Sequence, residues 1–356
     1  MITISSASKQ YRVHFEIDFG FIHDISETVE SLYVIDSNVY RLYSDLWKNI
    51  PEDRLYILEA TEENKTIDTA LQICEMITGL KAKRNATLVS VGGGIVQDIT
   101  GFVSNITYRG INWVFVPTTL LAACDSCIGG KTSLNYHKFK NLLGTFYPPD
   151  DIYICPEFFM TLTDRDYKSG LGEVTKFNIM KGMKGLNNIE RDISGLLSRD
   201  NMLINQYVRS SLEFKRQFIE VDEFDRGERI LLNFAHTFGH AIEVISKYGI
   251  PHGTAVAIGM IMADAISLKR GYLSSDIEER ARRVLDQVID IDPNVMKVPI
   301  DEYLNAMRKD KKQTDDSLTT VLITKYGEEG TLEIVKDTTI DEIQDAIDYF
   351  LTRYEG

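Results

Sequence analysis

Thr87-Leu-Val-Ser-Val-Gly-Gly-Gly-Ile-Val-Gln-Asp98 is the stretch that decides the fold of the first half of this chain. Thr87 to Val91 is a short, β-branched apolar run that reads as a strand, and three glycines end it. Beyond the glycines Ile95, Ile99, Phe102 and Ile106 recur at helical spacing. A strand that enters a helix through glycines points backbone NH groups and the positive end of the helix dipole at a place where a pyrophosphate can sit. The spaced GxGxxG fingerprint is absent, so taken alone Gly92 to Gly94 is equally well a plain strand-to-helix turn.

Three more runs of the same kind lie around it. Leu32-Tyr-Val-Ile35 ends at Asp36, Leu55-Tyr-Ile-Leu58 follows, and Trp113-Val-Phe-Val116 leads into Pro117-Thr-Thr119. Between the second and third strands Ile67, Leu71, Cys74 and Ile77 repeat with helical period, which makes the stretch a βαβ pattern with a mostly parallel sheet. Ligands on such sheets sit beyond the carboxyl ends of the strands, where Asp36, Gly92 to Gly94, Thr118 and Thr119 emerge. After Pro148-Pro149 helical periodicity dominates from about residue 164 to 289. Residues 318–324 and 331–335 then flank Tyr326-Gly327-Glu-Glu-Gly330 as a hairpin, and a helix closes the chain from about Ile340. The expected class is α/β: a Rossmann-like parallel-sheet domain over residues 1–155, then a mainly α-helical domain over residues 156–356.

The chain has 356 residues, 44% hydrophobic and 26% charged, which suits a two-domain globular protein. Its formal net charge of −14 argues against broad contact with nucleic acid or anionic lipid, though not against a local basic pocket for one phosphate. Neither a signal peptide nor an apolar run long enough to span a bilayer is visible, so a cytoplasmic location is expected. Four cysteines, Cys74, Cys124, Cys127 and Cys155, are too few for a disulfide framework in a chain this long. Cys124 and Cys127 form a CxxC without a second half, and small packing residues are the favoured reading over redox or zinc chemistry.

Chemistry-bearing residues cluster in the second half. His236 and His240, in Asn233-Phe-Ala-His-Thr-Phe-Gly-His240, are spaced to share one face of a helix, and His252 follows in the next loop. Such a set can hold a divalent metal or can simply pack, and Thr237 stands where a zincin would carry its glutamate. Glu173 and Lys176 lie at i, i+3, either as a surface helix pair or with Glu173 as the third metal ligand beside His236 and His252. On a continuous helix Asn233 and Arg229 fall one and two turns before His236, placed to read substrate groups near the metal. Gly129-Gly-Lys-Thr132 resembles the end of a P-loop, but Asp125 occupies the position of its first glycine, which disfavours a nucleotide kinase or ATPase. Arg109, Lys131, Lys140 and Lys311 are each individually a solvated surface residue; jointly they form a set able to clamp a phosphate monoester.

Together these segments resemble the sugar phosphate cyclase family, most closely its dehydroquinate synthase group, over nearly the whole chain. The runs that carry the resemblance are Gly92-Gly-Gly-Ile-Val-Gln-Asp98, Tyr108-Arg-Gly110, Val116-Pro-Thr-Thr-Leu-Leu121, Asp125-Ser-Cys-Ile-Gly-Gly-Lys-Thr132, Lys140-Asn141, Gly172-Glu-Val-Thr-Lys176, Leu232-Asn-Phe-Ala-His-Thr-Phe-Gly-His-Ala-Ile-Glu243, His252-Gly253 and Asp310-Lys-Lys312. The resemblance implies an amino-terminal nucleotide-binding domain and a helical metal-binding domain. By position it makes Glu173, His236 and His252 ligands of zinc or cobalt and moves His240 to the substrate side as a proton-relay residue. Asp36, Asn38, Glu62, Lys65, Gly93, Gly94, Asp98, Thr118, Thr119 and Asp125 fall where the family holds NAD. Lys131, Asn141 and Lys311 match phosphate positions, with Arg109 reaching into the neighbouring subunit of a homodimer. Lys140, Lys176, Lys215, Arg229, Asn233 and His240 match positions that hold the substrate's hydroxyls and carboxylate.

This chain departs from the pattern in four places. Gln97 replaces the glycine of GGGxxGD, Phe139 the glycine before Lys-Asn and Ala235 the glycine before the first histidine, while Cys124 and Cys127 flank Asp125-Ser126. None falls on an expected metal or carboxylate contact. The implied reaction is a phosphate-eliminating cyclisation of a small sugar phosphate in which NAD is reduced and regenerated. Lys215 with Arg229 suits a 2-oxo acid, which favours the heptulosonate substrate over sedoheptulose 7-phosphate or glucose 6-phosphate, the substrates of valiolone and deoxy-inosose synthases. A metal-dependent alcohol or glycerol dehydrogenase is the rival of another reaction class, and it has no use for the phosphate-site cations. A catalytically inactive scaffold on the same fold is disfavoured by the full charged set.

Overall fold

The structure is a computed structural model that describes residues 1–28, 30–137, 139–308 and 318–353. The chain forms two compact units: Met1–Leu162 with Val208–Phe224, and Thr163–Tyr207 with Asp225–Gly356. The sequence reading divides the chain once, after residue 155. The packing divides it at three points, because residues 208–224 belong with the first unit.

The strands are β1 (Ile2–Ser5), β2 (Gln10–Phe15), β3 (Ser31–Asp36), β4 (Leu55–Leu58), β5 (Thr87–Gly92), β6 (Asn112–Pro117), β7 (Lys131–Tyr136), β8 (Phe139–Phe146), β9 (Asp151–Ile154), β10 (Leu318–Tyr326) and β11 (Gly330–Thr338). The helices are α1 (Gly20–Thr28), α2 (Ser37–Leu42), α3 (Ile67–Gly79), α4 (Gly94–Ile106), α5 (Asp164–Met180), α6 (Met183–Leu197), α7 (Asn201–Val221), α8 (His236–Ile245), α9 (His252–Lys269), α10 (Ser275–Val288), α11 (Ile300–Arg308) and α12 (Ile340–Arg353).

In the first unit seven strands form one sheet in the order β1-β2-β9-β6-β5-β3-β4. The four strands expected from sequence are its β6-β5-β3-β4 half, all parallel. Every residue of β5 is buried, as a central parallel strand covered on both faces requires. From β3 the chain steps outward to β4 and then returns to the other side of β3 as β5, so the strand order reverses between β3 and β5. Asp36 and the glycine turn end those two strands, side by side at the point where such sheets bind ligands. β9 and β2 extend the sheet in parallel and β1 closes it antiparallel. The P-loop-like segment is instead the start of a separate hairpin, β7 with β8.

In the second unit α9 is buried on nearly all sides, which explains the run of small and apolar residues from Thr254 to Ile266, interrupted only by the buried Asp264. Glycines let two helices approach it at backbone distance. A Cβ on Gly172 of α5 would lie 2.1 Å from the Gly253 carbonyl oxygen, and one on Gly253 would lie 1.7 Å from that of Ser169. On the α8 side a Cβ on Gly259 would lie 2.5 Å from the Ala235 carbonyl oxygen. The β10–β11 hairpin and α12 complete the unit, as the sequence pattern anticipates. Arg270, at the end of α9, binds Glu342 of α12 through two hydrogen bonds of 2.7 and 2.8 Å and Asp337 at 3.0 Å.

Gly253→Ala has no room at the α5–α9 crossing and is expected to cost about 2–4 kcal/mol in chemical denaturation. Unfolding within about 0.5 kcal/mol of the parent would show that the crossing is loose. Hydrogen bonding to Arg270 depresses the Glu342 carboxyl to about 2 from its ordinary 4.5. Its contribution is therefore present above pH 4.5 and is lost as the pH falls towards 2. Glu342→Gln should lower stability at pH 7 by about 1 kcal/mol. Denaturation series at pH 7 and pH 3 check this, because the gap between the two proteins narrows in acid.

Candidate functional site

The crossings at Gly172, Gly253 and Gly259 decide where the second unit's polar side chains meet. Glu173 follows Gly172 on α5 and is fully buried. His252 opens α9, and His236 opens α8. Nε2 of His236 and Nε2 of His252 lie 3.6 and 3.5 Å from the same Glu173 oxygen, Oε1. Ligands about 2.0–2.1 Å from a tetrahedral zinc-type ion are separated by about 3.3 Å; Glu173 Oε1 stands near that spacing from both imidazoles, and all three donor atoms lie within 4.8 Å of one another. The imidazoles are oriented from behind: the Phe234 carbonyl lies 3.1 Å from Nδ1 of His236, and Glu243 Oε2 lies 3.3 Å from Nδ1 of His252. With both Nδ1 atoms engaged in this way, both Nε2 atoms face Glu173, the orientation of metal-bound histidines. Neither oxygen of Glu173 receives a well-directed hydrogen bond, although both are buried. Residue chemistry, spacing and the unsatisfied carboxylate all fit a divalent cation.

Lys176 is buried with its Nζ 2.5 Å from Glu173 Oε2, so the pair is not the surface pair that its spacing also allowed. Burial works against the Glu173 charge, but Lys176, His252 and His236 together hold the carboxyl well below its ordinary range. Burial, reinforced by Lys176, keeps His236 neutral. Burial also opposes a charge on His252, but the Glu173 and Glu243 carboxylates outweigh it and raise the imidazole to about 10.

His240 is exposed, its ring 5.4 Å from that of His236 and 5.9 Å from that of His252. With Glu243 and His252 it makes a second donor set, which shares His252 with the first. Burial and the orientation of both imidazoles favour the set containing Glu173. Arg229, which is buried, and Asn233 lie in a 3-10 turn, Glu228–Asn233. The helix is not continuous from there to His236. Ala235 intervenes at φ +68, so the heptad-like spacing of Arg229, Asn233 and His236 does not place them on one helical face. Asn233 nevertheless joins His236, Thr237 and His240 around a cavity of about 170 Å³, whose far wall is Thr319, Thr320, Val321 and Ile334 of the hairpin.

In the first unit, Gly93 caps α4 at the end of β5. The Thr118 NH bonds the Gly92 carbonyl at 2.9 Å, and a Cβ on Gly93 would meet Thr119 at 3.2 Å, so these four residues form one tight turn. Asp36 caps α2, its Oδ1 accepting from the Asn38 and Val39 NH groups at 2.7 and 3.3 Å. Burial raises its carboxyl, partly offset by those bonds. Lys65 is buried with Nζ 2.5 Å from Asp98 Oδ2 and 2.7 Å from Asn141 Oδ1. Ser133 bonds both of those oxygens, at 3.0 and 2.9 Å. Asn135 holds Glu62 Oε2 at 2.9 Å and the Asn141 NH at 2.9 Å, and Lys140 lies 3.5 Å from Glu62. Residues assigned separately to cofactor and to phosphate are thus one network through β7. Lys215 on α7 grips Asp125, 2.6 Å from its carbonyl oxygen and 2.8 Å from Oδ1. Arg109 and Lys131 are exposed. Lys311 lies outside the described residues.

Sequence reasoning assigned no role to Glu243, Ser133, Asn135 or Thr319. Glu243 stands inside a quoted motif, a signal that was available; the other three have meaning only through distant partners. Cys124 and Cys127 are buried, and burial pushes the Cys127 thiol up to about 12, which fits packing residues. A larger cavity of about 430 Å³, beside Ser31, Tyr33 and Arg54, lies at the opposite end of β3 from Asp36 and touches none of the candidate residues.

A family model described as 3-dehydroquinate synthase N-terminal matches residues 55–169, and one described as 3-dehydroquinate synthase C-terminal matches residues 170–313. The chain is 34% identical over 331 residues to the 3-dehydroquinate synthase of Clostridium tetani, covering 91% of this chain and 88% of that one. Among solved structures it is similar to 2-epi-5-epi-valiolone synthase from Streptomyces hygroscopicus with NAD+ and Zn2+ bound, with TM-score 0.83, 24% identity and 98% and 99% of the two chains covered. It is similar too to 2-deoxy-scyllo-inosose synthase complexed with carbaglucose-6-phosphate, NAD+ and Co2+, with TM-score 0.82, 22% identity and 97% and 98% covered. These two likenesses establish the fold, and the matches along the sequence establish the family: the chain belongs to the 3-dehydroquinate synthases.

Proposed function

We propose that this enzyme cyclises 3-deoxy-D-arabino-heptulosonate 7-phosphate to 3-dehydroquinate with release of phosphate, using NAD catalytically and a divalent metal, zinc or cobalt, held by Glu173, His236 and His252. The observation that carries the metal assignment is the fully buried Glu173 carboxylate, faced at 3.6 and 3.5 Å by two imidazoles whose Nδ1 atoms are already engaged. When bound, the metal acidifies a substrate hydroxyl and NAD takes and later returns a hydride, so neither is consumed.

The chain's own residues supply binding, charge and proton transfer. Lys176 keeps Glu173 ionised and leaves a positive charge beside the hydroxyl that must lose its proton. His240, exposed at the rim of the histidine cavity, relays that proton, and Asn233 orients the hydroxyls. Arg229 offers a planar fork suited to a carboxylate, and Lys215 is the second cation assigned to that group. Gly93, Gly94, Thr118 and Thr119 receive the cofactor's pyrophosphate, Asp36 and Asn38 its ribose, and Glu62, Lys65, Asp98 and Asp125 its remaining polar groups. Lys131, Asn141 and Lys311 hold the substrate phosphate, which serves as base for the C–H that breaks before elimination, and Lys140 binds the substrate's hydroxyls beside it. Arg109 completes that site across a homodimer. The acidic chain has no role in nucleic-acid binding, and among the described residues no helix is long and apolar enough to cross a membrane; a cytoplasmic location fits both.

A substrate panel with phosphate release and NADH as joint readouts tests this reading. The heptulosonate phosphate should yield one phosphate per carbocycle with no net NADH. Turnover of sedoheptulose 7-phosphate alone would reassign the substrate, and net NADH from a polyol would indicate a dehydrogenase. Metal binding gives an independent check. His252 carries a proton below about pH 10 in the metal-free chain and must release it to coordinate. Calorimetry of zinc binding in buffers of different ionisation enthalpy at pH 7 should therefore show about one proton released, with affinity rising about tenfold per pH unit. Glu173→Ala should abolish both the binding and the proton release.

A further inference from the structure

Gln97, which replaces the family pattern's glycine, lies in the first turn of α4 and is 3% exposed. Both ends of its amide engage one residue: Nε2 donates to the Ser126 carbonyl at 2.7 Å, and Oε1 accepts from Ser126 Oγ at 2.7 Å. Ser126 ends a π-turn, Ala122–Ser126, beyond which the chain passes through Gly129 and Gly130, at φ +100 and +66, to Lys131. Carbonyl groups at such a helix end lack partners inside the helix. Two successive ones are met here from outside, that of Asp125 by Lys215 and that of Ser126 by Gln97. Of the thiols flanking them, Cys124 donates to the Leu121 carbonyl and Cys127 to that of Ala123.

We infer that Gln97 is a positioning residue that locks the Asp125–Lys131 turn and so sets the cofactor affinity of this chain. π-Turns are rare; this one is closed by the Cys127 NH on the Ala122 carbonyl at 3.0 Å, and the glycines that follow are held by Tyr11 Oη at 3.0 Å and the Tyr147 NH at 2.6 Å, while the side-chain contact to the Ser126 carbonyl comes from Gln97. Without the Gln97 amide, the Ser126 carbonyl would lose its partner, and Asp125 with its Lys215 grip could shift as a unit. The inference rests on the reading of Asp125 as a cofactor-side residue.

The test uses the full, zinc-loaded chain with Gln97→Ala, Gln97→Glu and Ser126→Ala, and measures NAD+ affinity by calorimetry, thermal midpoint, and amide hydrogen exchange of residues 122–131 without ligand. Gln97→Ala should weaken NAD+ binding about tenfold and speed exchange across the turn. Ser126→Ala keeps the bond to the carbonyl and should lose less than about threefold. Gln97→Glu conserves volume but sets a carboxylate against that carbonyl, so it should match or exceed the loss in Gln97→Ala while remaining folded. Parental NAD+ affinity in both Gln97 variants, even with a lowered midpoint, would reduce Gln97 to a structural residue and overturn the inference. If the parent itself bound no NAD+, the functional reading would fail, and the exchange measurement would still decide whether the clamp exists: unchanged protection in Gln97→Ala refutes it.

Discussion

The second unit is organised around one fully buried negative charge, the Glu173 carboxylate. Removing a carboxylate from water costs several kcal/mol, and only close, well-placed positive groups offset that cost. Lys176 supplies one such group at 2.5 Å, from the same helix. The other side of the carboxylate faces His236 and His252. Those two imidazoles arrive from different helices, which can come close enough only where their backbones nearly touch. The glycines at positions 172, 253 and 259 are therefore the consequence of placing a charge where water cannot reach it. They are packed against backbone atoms, and no larger residue fits without moving a helix that carries a donor.

The first unit handles its buried charges by a related device. Lys65 and Lys215 are both buried lysines, and each has an acidic partner together with a neutral oxygen, Asn141 Oδ1 in one case and the Asp125 carbonyl in the other. An ammonium group has three N–H donors and a compact charge, so one lysine can hold a carboxylate and a second oxygen at once. Burial raises the Asp98 carboxyl, and Lys65 counters it. The network running through Ser133 and Asn135 extends this order to Asn141 and Lys140. Ordering those side chains before a ligand arrives lowers the entropy that binding must remove.

What was legible in the sequence follows from how local each signal is. β3, β5 and β6 are continuous apolar runs, and α3, α4 and α9 repeat or saturate their apolar positions, so each announces itself. β8 does not: Phe139–Phe146 is mostly exposed and shows no alternation, and among the described residues the strand it pairs with is β7. Short edge strands such as β1 bury only Ile2 and Ile4, too few for a pattern to stand out. The histidines of the candidate site are legible as a set because His236, His240 and His252 are close in sequence. Their environment was not: i, i+3 spacing describes Glu173 and Lys176 equally well on a wet helix face or in the core, and only Gly172 and Gly253 separate the two cases. The wiring of Gln97 to Ser126 and of Asn135 to Glu62 joins residues from separate elements, where no local pattern reports it.

Ala235 shows how one departure from the family pattern is tolerated. At φ +68 it occupies a left-handed conformation that costs an alanine about 1–2 kcal/mol and a glycine almost nothing. The surroundings still impose it. Its carbonyl accepts the Gly239 NH at 2.9 Å and sits where a Cβ on Gly259 would be, so the backbone is held between the first turn of α8 and the body of α9. The reversal at this residue also brings the Phe234 carbonyl back to within 3.1 Å of His236 Nδ1, which a continuous helix would not allow at a separation of two residues. The strain at Ala235 and the orientation of His236 therefore have one cause. A methyl group at this position is accepted because the conformation, and not the side chain, is what turns Nε2 of His236 towards Glu173.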